Sequence, residues 1–224
     1  MHPREIHLIG FELSPAVTML EWGSGGSTLF FSNFVKEIHS FEHSIKWYEK
    51  ISKQIDQHNI KNINYNYIPS DFEYKGPPPG RTKFPLGDKF RRIPRGAPIK
   101  YFKTYVNAVE RFDKSKFDVV LVDGRCRLYC AVKALPYLKD GGCVYIHDFF
   151  HRKKYHDVLE YYDIVDAVKH TTQTIVKLTK KSREKLPCPS FYDNIKTVDE
   201  IAQALRRDPN NFEWSVEYGL RGIH

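Results

Sequence analysis

The chain has 224 residues, of which 41% are hydrophobic and 28% are charged, and its formal net charge is +8. This is enough apolar material for one sizeable core and leaves little room for a second full domain. The composition excludes a disordered chain, and no apolar run is long enough to cross a bilayer, so we expect no membrane span.

Cysteine usage and the first residues bear on the cellular compartment. The four cysteines, Cys126, Cys130, Cys143 and Cys188, form neither a CxxC pair nor a zinc-ligand pattern. We interpret them as small buried residues of a protein in a reducing compartment. Segment 1–11 lacks the apolar core of a signal peptide. The sequence therefore predicts a cytoplasmic protein.

Strand-like and helix-like segments alternate along the chain, which is typical of a parallel sheet covered by helices on both faces. The pattern predicts strands at 17–22, 37–41 and 63–68, with helices at 27–35 and 44–57 between them. Further on it predicts helices at 100–112, 128–138 and 152–162, and strands at 117–122, 143–147, 164–169 and 174–178. The expected fold is a Rossmann-like α/β domain with a mostly parallel seven-stranded sheet.

A Pro- and Gly-rich basic insertion, 73–99, interrupts this alternation and cannot form a regular helix or a central strand. It carries much of the positive charge, together with aromatic residues that suit sugar rings or nucleic acid. We expect either a lid over the ligand or a mobile surface loop. The predicted domain is 1–180, and 181–224 is a C-terminal extension with a helix at 198–206.

The most informative motif runs from Met19 to Thr28 and reads MLEWGSGGST, an apolar strand, a glycine-rich turn and a helix start. Glycines let a backbone approach a ligand closely. Glu42 ends the next strand, 21 residues after Glu21, and in dinucleotide-binding folds an acidic residue at about this distance binds ribose hydroxyls. A nicotinamide cofactor would still fit this pattern. However, Glu21 would repel a pyrophosphate, whereas it suits the amino group of a methionine moiety.

The motif resembles the first motif of class I S-adenosylmethionine-dependent methyltransferases, written E/D-x-G-x-G-x. The resemblance implies that Glu42 binds the ribose, that His43 flanks the adenine and that Asp71 reaches the adenine amino group. It also implies a set of residues around the methionine end of S-adenosylmethionine, namely Glu21, Gly23, Ser24, Gly25, Gly26 and Ser27.

Two later segments, FDVVLVDGR at 117–125 and LKDGGCVYIHD at 138–148, resemble the fourth and fifth strands of the same family. Asp123 and Asp148 follow these strands, at the sheet edge where open α/β folds bind ligands. The layout resembles metal-dependent O-methyltransferases of the catechol and macrocin types. That resemblance implies a divalent ion, Mg²⁺ or Mn²⁺, held by Asp123 and Asp148, although Phe149 stands where the family has a further Asp or Asn.

The segments VDGR and IHDFFHR also resemble plant glucuronoxylan O-methyltransferases, and a chlorovirus-type rhamnose methyltransferase domain is a further likeness. They imply a sugar or glycan acceptor. A sugar hydroxyl needs a general base or a metal, and the catalytic candidates are Asp123, His147, Asp148 and His151. Arg91, Arg92 and Arg125 are the candidate substrate-binding residues.

Three functions stay open at this point. The first is an O-methyltransferase that acts on a sugar or glycan hydroxyl. The second is an RNA or protein methyltransferase, which the basic segments favour, although no Asn/Asp-Pro-Pro-Tyr/Phe motif and no RNA module is present. The third is a Rossmann-like protein without methyltransferase activity, either a dehydrogenase or a binding module.

Overall fold

The computed structural model describes residues 1–71, 99–170 and 173–182. Insertion residues 73–98, with Arg91 and Arg92, lie outside this part, as do residues 183–224 of the predicted extension and its expected helix at 198–206. The predicted domain boundaries therefore stay predictions.

The fold is a seven-stranded sheet in the order β3-β2-β1-β4-β5-β7-β6. The strands are β1 (Thr18–Trp22), β2 (Glu37–Glu42), β3 (Ile63–Tyr67), β4 (Phe117–Val122), β5 (Leu138–His147), β6 (Tyr162–Lys169) and β7 (Thr174–Lys180). The first five pair in parallel, whereas β7 runs antiparallel to both β5 and β6. The prediction of a mostly parallel seven-stranded sheet is confirmed.

The helices are α1 (Pro3–Gly10), α2 (Gly26–Phe31), α3 (Ile45–Gln57), α4 (Lys103–Asn107) and α5 (Arg127–Ala134). Short 3₁₀ helices at Ile99–Phe102 and Ala108–Arg111 flank α4, and another at Leu135–Tyr137 follows α5. The single helix expected at 100–112 is thus three short pieces. The helix expected at 152–162 is a 3₁₀ helix, Lys153–Glu160.

Helix α1 was not expected from the sequence. The His2 side chain accepts a hydrogen bond from the Arg4 amide, and the Glu5 carboxylate accepts one from the His2 amide. The two residues form a capping box at the start of α1, where Pro3 is the first helical residue. Leu8 and Ile9 are buried against the sheet. An eight-residue helix has only about two turns, too few for its repeat to stand out in the sequence, and it is stable only because it packs on the sheet.

Two apolar layers cover the sheet. The larger layer contains Trp22, Phe41 and Tyr105 and lies under α4, α5 and the 3₁₀ helix at 153–160, while the smaller one contains Met19, Phe31 and Tyr145 and lies under α1 and α2. Both faces of β1 and β4 are therefore buried, which explains their continuous apolar runs. The carboxyl ends of these central strands meet at one sheet edge.

Candidate active site

A cavity of about 300 Å³ opens at the carboxyl ends of β1, β2 and β4. The chain leaves β1 toward β2 and β3 on one side, and continues through β4 and β5 on the other, so the cavity lies where the strand order reverses. Open α/β sheets bind their ligands at this topological position. The residues that line it are Gly23, Ser24, Glu42, His43, Trp47, Asp123, Gly124, Arg125, Cys126, Arg127, Arg152, Lys154 and Tyr155.

Two glycines form the floor of the cavity. Gly23 has a φ of 94°, and a Cβ there would overlap the backbone of Gly124. A Cβ on Gly124 would in turn overlap the Tyr105 hydroxyl oxygen. The Gly124 amide donates to the Trp22 carbonyl at 2.7 Å, which fixes the two turns against each other. Glycine is therefore required at both turns, and the backbone itself forms the floor.

Glu21 lies beneath the glycine turn and has no exposed surface. Its carboxylate accepts hydrogen bonds from the hydroxyls of Ser27 at 2.7 Å, Thr28 at 2.5 Å and Ser40 at 2.8 Å. Burial raises the pKa of Glu21 to about 7, against the opposing effect of these hydroxyls. Glu21 does not line the cavity; it holds the turn and the start of α2 in place.

Glu42 lines the cavity one strand away and is 3% exposed. One carboxylate oxygen accepts from the amide and the hydroxyl of Ser24, at 3.0 and 3.1 Å, and the other accepts from the Ser44 amide at 2.6 Å. Burial alone would raise the pKa of Glu42, but the adjacent His43 and these amides outweigh it and lower the pKa. Glu42 is therefore an anion that fixes the shape of the turn at Ser24.

An arginine connects the two carboxylates that follow β4 and β5. Arg127 Nη2 lies 3.1 Å from Asp123 Oδ1, and Nη1 lies 3.0 Å from Asp148 Oδ2. The same guanidinium donates to the carbonyls of Gly124 and Asp123, at 3.0 and 2.9 Å, and to that of His147. Arg152 makes a second ion pair with Asp148 Oδ2 at 3.0 Å. Arg127 therefore joins the ends of the two strands.

His147 completes this cluster. Its Nδ1 lies 3.1 Å from Asp123 Oδ1 and 3.4 Å from Asp148 Oδ1, and its Nε2 lies 3.3 Å from Glu5 Oε2. Burial lowers the pKa of His147, but the two aspartates outweigh burial and raise the pKa to about 10. At neutral pH the ring is an imidazolium and cannot accept a proton. Among the four catalytic candidates, His147 in this charge state does not suit the role of general base.

The metal prediction does not fit this arrangement either. Asp123 and Asp148 face the Arg127 guanidinium and the His147 ring, which together place two positive charges where a divalent ion would have to bind. A cation there would be repelled and would have to displace Arg127. Within the described ranges, no group of three or more His, Cys, Asp or Glu side chains is arranged to hold a metal ion.

The remaining predicted residues fall into two groups. Ser24, His43, Asp123 and Arg125 line the cavity together with Gly23 and Glu42. The others do not line it, and these are Gly25, Gly26, Ser27, Asp71, Asp148 and His151.

Two members of the second group have other surroundings. The Asp71 carboxylate accepts from the Thr104 amide at 3.0 Å, so this residue joins the end of the β3 segment to α4. His151 is exposed. Neither residue lines the cavity, and the roles that the resemblance implies for them stay predictions.

Seven of the residues that line the cavity were not predicted from the sequence, namely Trp47, Gly124, Cys126, Arg127, Arg152, Lys154 and Tyr155. Arg127 and Arg152 each stand four residues after an aspartate of the cluster, and that spacing within a strand–turn–helix segment was the available signal. Trp47 is 46% exposed in the first turn of α3, where an aromatic residue reads as part of an amphipathic helix.

Comparison with known proteins gives structural but no sequence relatives. No family model and no curated protein matches the chain. A methyltransferase-like protein from Silicibacter pomeroyi superposes with a TM-score of 0.56 at 21% identity, over 94% of this chain and 96% of that one. An rRNA methylase from Streptococcus thermophilus has a TM-score of 0.54 at 14% identity, over 81% and 99%.

A third structure, a Streptococcus mutans protein in complex with S-adenosylhomocysteine, has a TM-score of 0.52 at 14% identity, over 81% of this chain and 100% of the other. The chain has the Rossmann-like fold of these methyltransferases. No helix among residues 1–71, 99–170 and 173–182 is long and apolar enough to cross a membrane.

Proposed function

We propose that the protein is an S-adenosylmethionine-dependent methyltransferase. The observation that carries this proposal is the cavity at the strand-order reversal, with a bare backbone floor at Gly23 and Gly124 and an anionic carboxylate, Glu42, at its side. This combination suits a ligand that joins a ribose to an amino acid, because carboxylates bind ribose hydroxyls and the glycine turn admits close approach. The S-adenosylhomocysteine complex of a structural neighbour supports the same ligand.

The residues that would hold the cofactor differ in part from those that the motif implies. Glu42 binds the ribose hydroxyls after Ser24 Oγ and the His43 ring give up their contacts with it. Ser24 and the backbone of Gly23 hold the amino-acid end. Glu21 acts from below by holding the turn, because three hydroxyl groups already donate to its carboxylate.

Methyl transfer needs an acceptor held in line with the methyl group that the sulfonium supplies, so positioning accounts for much of the rate. Asp123 is the catalytic candidate that best fits this task. One of its oxygens pairs with Arg127 and His147, while no described residue donates a hydrogen bond to the other. That second oxygen accepts a hydrogen bond from the attacking hydroxyl and takes its proton.

For the acceptor we propose a sugar or glycan hydroxyl, with Arg125 as a substrate-binding residue. Arg125 is exposed at the cavity and pairs with no acidic group of the described residues, and Trp47 offers an exposed ring at the same cavity. An aromatic ring and an arginine that line one cavity suit a polyhydroxylated ring, although the Lys50 ammonium already lies 4.7 Å from the centre of the Trp47 ring. RNA or protein is the second candidate, because Arg125 and Lys154 also suit phosphate, and structural neighbours include an rRNA methylase and a ribosomal protein L11 methylase.

Two measurements test this function. Calorimetric titration with S-adenosylhomocysteine and with NAD separates a methyltransferase from a dehydrogenase, and tighter binding of NAD would refute the proposal. Transfer of labelled methyl groups from S-adenosylmethionine to a panel of glycosides, a short RNA and a protein mixture then identifies the acceptor. Label in RNA or protein alone would replace the sugar hydroxyl as the acceptor.

A matched pair of variants tests the role of Asp123. Asp123→Asn should slow transfer about 100-fold or more, because the amide cannot accept the hydroxyl proton. Asp140→Asn is the control, since Asp140 is exposed at the other end of β5. Equal rates for the two variants would show that Asp123 does not touch the reacting atoms.

A further inference from the structure

Helix α1 contributes a buried side chain to the cluster beside the cavity. Glu5 has no exposed surface, and its Oε2 lies 3.3 Å from His147 Nε2 across 142 residues of sequence. Its second oxygen, Oε1, is buried and has no hydrogen-bond partner within the part of the chain that is described. A carboxylate without exposure is costly unless cationic or donor groups face it, and two such groups face Glu5 Oε2, the His2 amide at 2.7 Å and the His147 ring.

The His147 ring lies between Glu5 and the cavity wall. Nε2 lies within hydrogen-bond distance of Glu5, whereas Nδ1 lies within ion-pair distance of Asp123 and Asp148 and makes no hydrogen bond to a described residue. Both ring nitrogens thus lie close to carboxylates. A hydrogen bond to one ring nitrogen fixes the orientation of the ring and thereby the position of the other nitrogen. Glu5 thus determines where Nδ1 meets the one carboxylate of this group that lines the cavity, Asp123.

The charges of the cluster support this reading. Three carboxylates, Glu5, Asp123 and Asp148, face three cationic side chains, Arg127, Arg152 and His147. The set is therefore electrically balanced, and α1 supplies one of its six members. Loss of the Glu5 charge would leave an excess positive charge that draws Asp123 away from the cavity toward His147.

We propose that Glu5 is a positioning residue, which acts through His147 to hold Asp123 at the cavity wall, and that α1 is in this way part of the ligand site. This inference rests on the proposed function, since it assigns Asp123 to that same site. It differs from a purely structural role for α1, in which Glu5 would only fasten the helix to the sheet.

The chain offers a control for that alternative. Glu12, just beyond α1, forms an ion pair of 2.5 Å with Lys177 of β7 and does not contact the cluster. Glu5→Gln and Glu12→Gln each remove one carboxylate that fastens the N-terminal segment to the sheet. Only Glu5→Gln removes the negative charge that faces His147, and the glutamine oxygen can still accept from the His2 amide at the start of α1.

The experiment measures the rate of labelled methyl transfer from S-adenosylmethionine to the acceptor that wild type uses, for wild type, Glu5→Gln, Glu12→Gln, His147→Asn and the Glu5→Gln/His147→Asn double variant. Thermal unfolding is the check on folding, and S-adenosylhomocysteine affinity is the check on the cofactor site. Glu5→Gln should slow transfer about tenfold, a typical coupling between contacting residues, and Glu12→Gln should transfer as wild type does. In the His147→Asn background, Glu5→Gln should have no further effect. A wild-type rate in Glu5→Gln, or the same loss with and without His147, would overturn the proposal.

A second readout needs no ligand. The ¹⁵N resonances of the His147 ring report on its hydrogen bonds and should shift in Glu5→Gln but not in Glu12→Gln. Unchanged resonances would overturn the positioning role. If wild type fails to bind S-adenosylhomocysteine while the resonances shift as expected, the proposed cofactor is wrong and the Glu5–His147 contact still stands.

Discussion

Gly23 sets the cavity floor through its backbone conformation, at a φ of 94° that side chains rarely adopt. Gly23→Ala adds a Cβ in a strained conformation and against the Gly124 backbone, which together should cost about 3 kcal/mol of unfolding free energy and abolish S-adenosylhomocysteine binding. Urea unfolding and calorimetry measure the two effects. Gly10→Ala is the control, because a Cβ on Gly10 meets no atom within 4 Å; equal stability of the two variants would contradict the prediction.

His147 makes stability depend on pH. The pKa of His147 is about 10 in the folded protein, against an ordinary value of 6.5. Its contribution to the free energy of unfolding is therefore fully present below pH 6.5 and is lost as the pH rises through 10. The urea midpoint of the wild type should therefore fall between pH 7 and 10. His147→Asn should show a shallower fall over the same range, and parallel curves would show that His147 is not an imidazolium in the folded state.

Arg127 bears on the question of metal dependence. Because its guanidinium pairs with both Asp123 and Asp148, ligand binding and methyl transfer should be the same with EDTA as with added Mg²⁺ or Mn²⁺. Rates measured in both conditions check this expectation. A loss of activity in EDTA that Mg²⁺ restores would show that a metal displaces the arginine in the working enzyme.

At the scale of single elements, an ion pair between a buried lysine and a partly exposed glutamate connects α5 to a neighbouring 3₁₀ helix. Lys133 has no exposed surface, whereas its partner Glu110, in the 3₁₀ helix at Ala108–Arg111, is 43% exposed. Glu110→Ala leaves a buried ammonium without its carboxylate and should cost about 2 kcal/mol. Lys133→Met returns Glu110 to water and should change stability by less than about 1 kcal/mol. Urea unfolding of both variants measures these changes, and equal losses of stability would contradict the prediction.

The elements differ in how well the sequence predicts them. Strands such as Phe117–Val122 have apolar runs that only a doubly covered parallel strand explains, so their positions agree closely with the structure. The fifth strand was predicted at 143–147, but β5 already begins at Leu138. The segment at 153–160 has helical spacing, yet it forms a 3₁₀ helix, and the choice between these helices depends on packing that the pattern does not contain.

Within the site, the sequence predicts the residues at strand ends but not their partners. Asp123 and Gly23 follow apolar strands, and topology alone brings them together. The charge state of His147 depends on its burial and on Asp123 and Asp148, which strand packing brings to the ring. Its Nε2 faces Glu5, which is 142 positions away in a helix that was not expected. A candidate base can therefore be named from sequence, whereas its protonation requires the packed structure.

For the whole molecule, cofactor binding should raise thermal stability. A ligand at 100 times its Kd adds about 2.7 kcal/mol to the unfolding free energy, which for a domain of this size corresponds to about 5–10 °C in Tm. S-adenosylhomocysteine should produce such a shift, measured by scanning calorimetry, whereas NAD at the same concentration should not. A larger shift with NAD would favour a dehydrogenase.

The backbone contact between Gly23 and Gly124 has a consequence for adaptation. The two turns pack backbone against backbone with no side chain between them. Neither turn can therefore shift to enlarge the cavity, and neither can accept a larger residue unless the other turn moves. The glycines at the base of the cavity thus tolerate almost no substitution. In contrast, Trp47, Arg125 and Lys154 line the cavity with side chains that can change without altering this backbone contact. If the proposed function holds, new acceptors would therefore arise by substitutions at these three positions, while the proposed cofactor site stays constant.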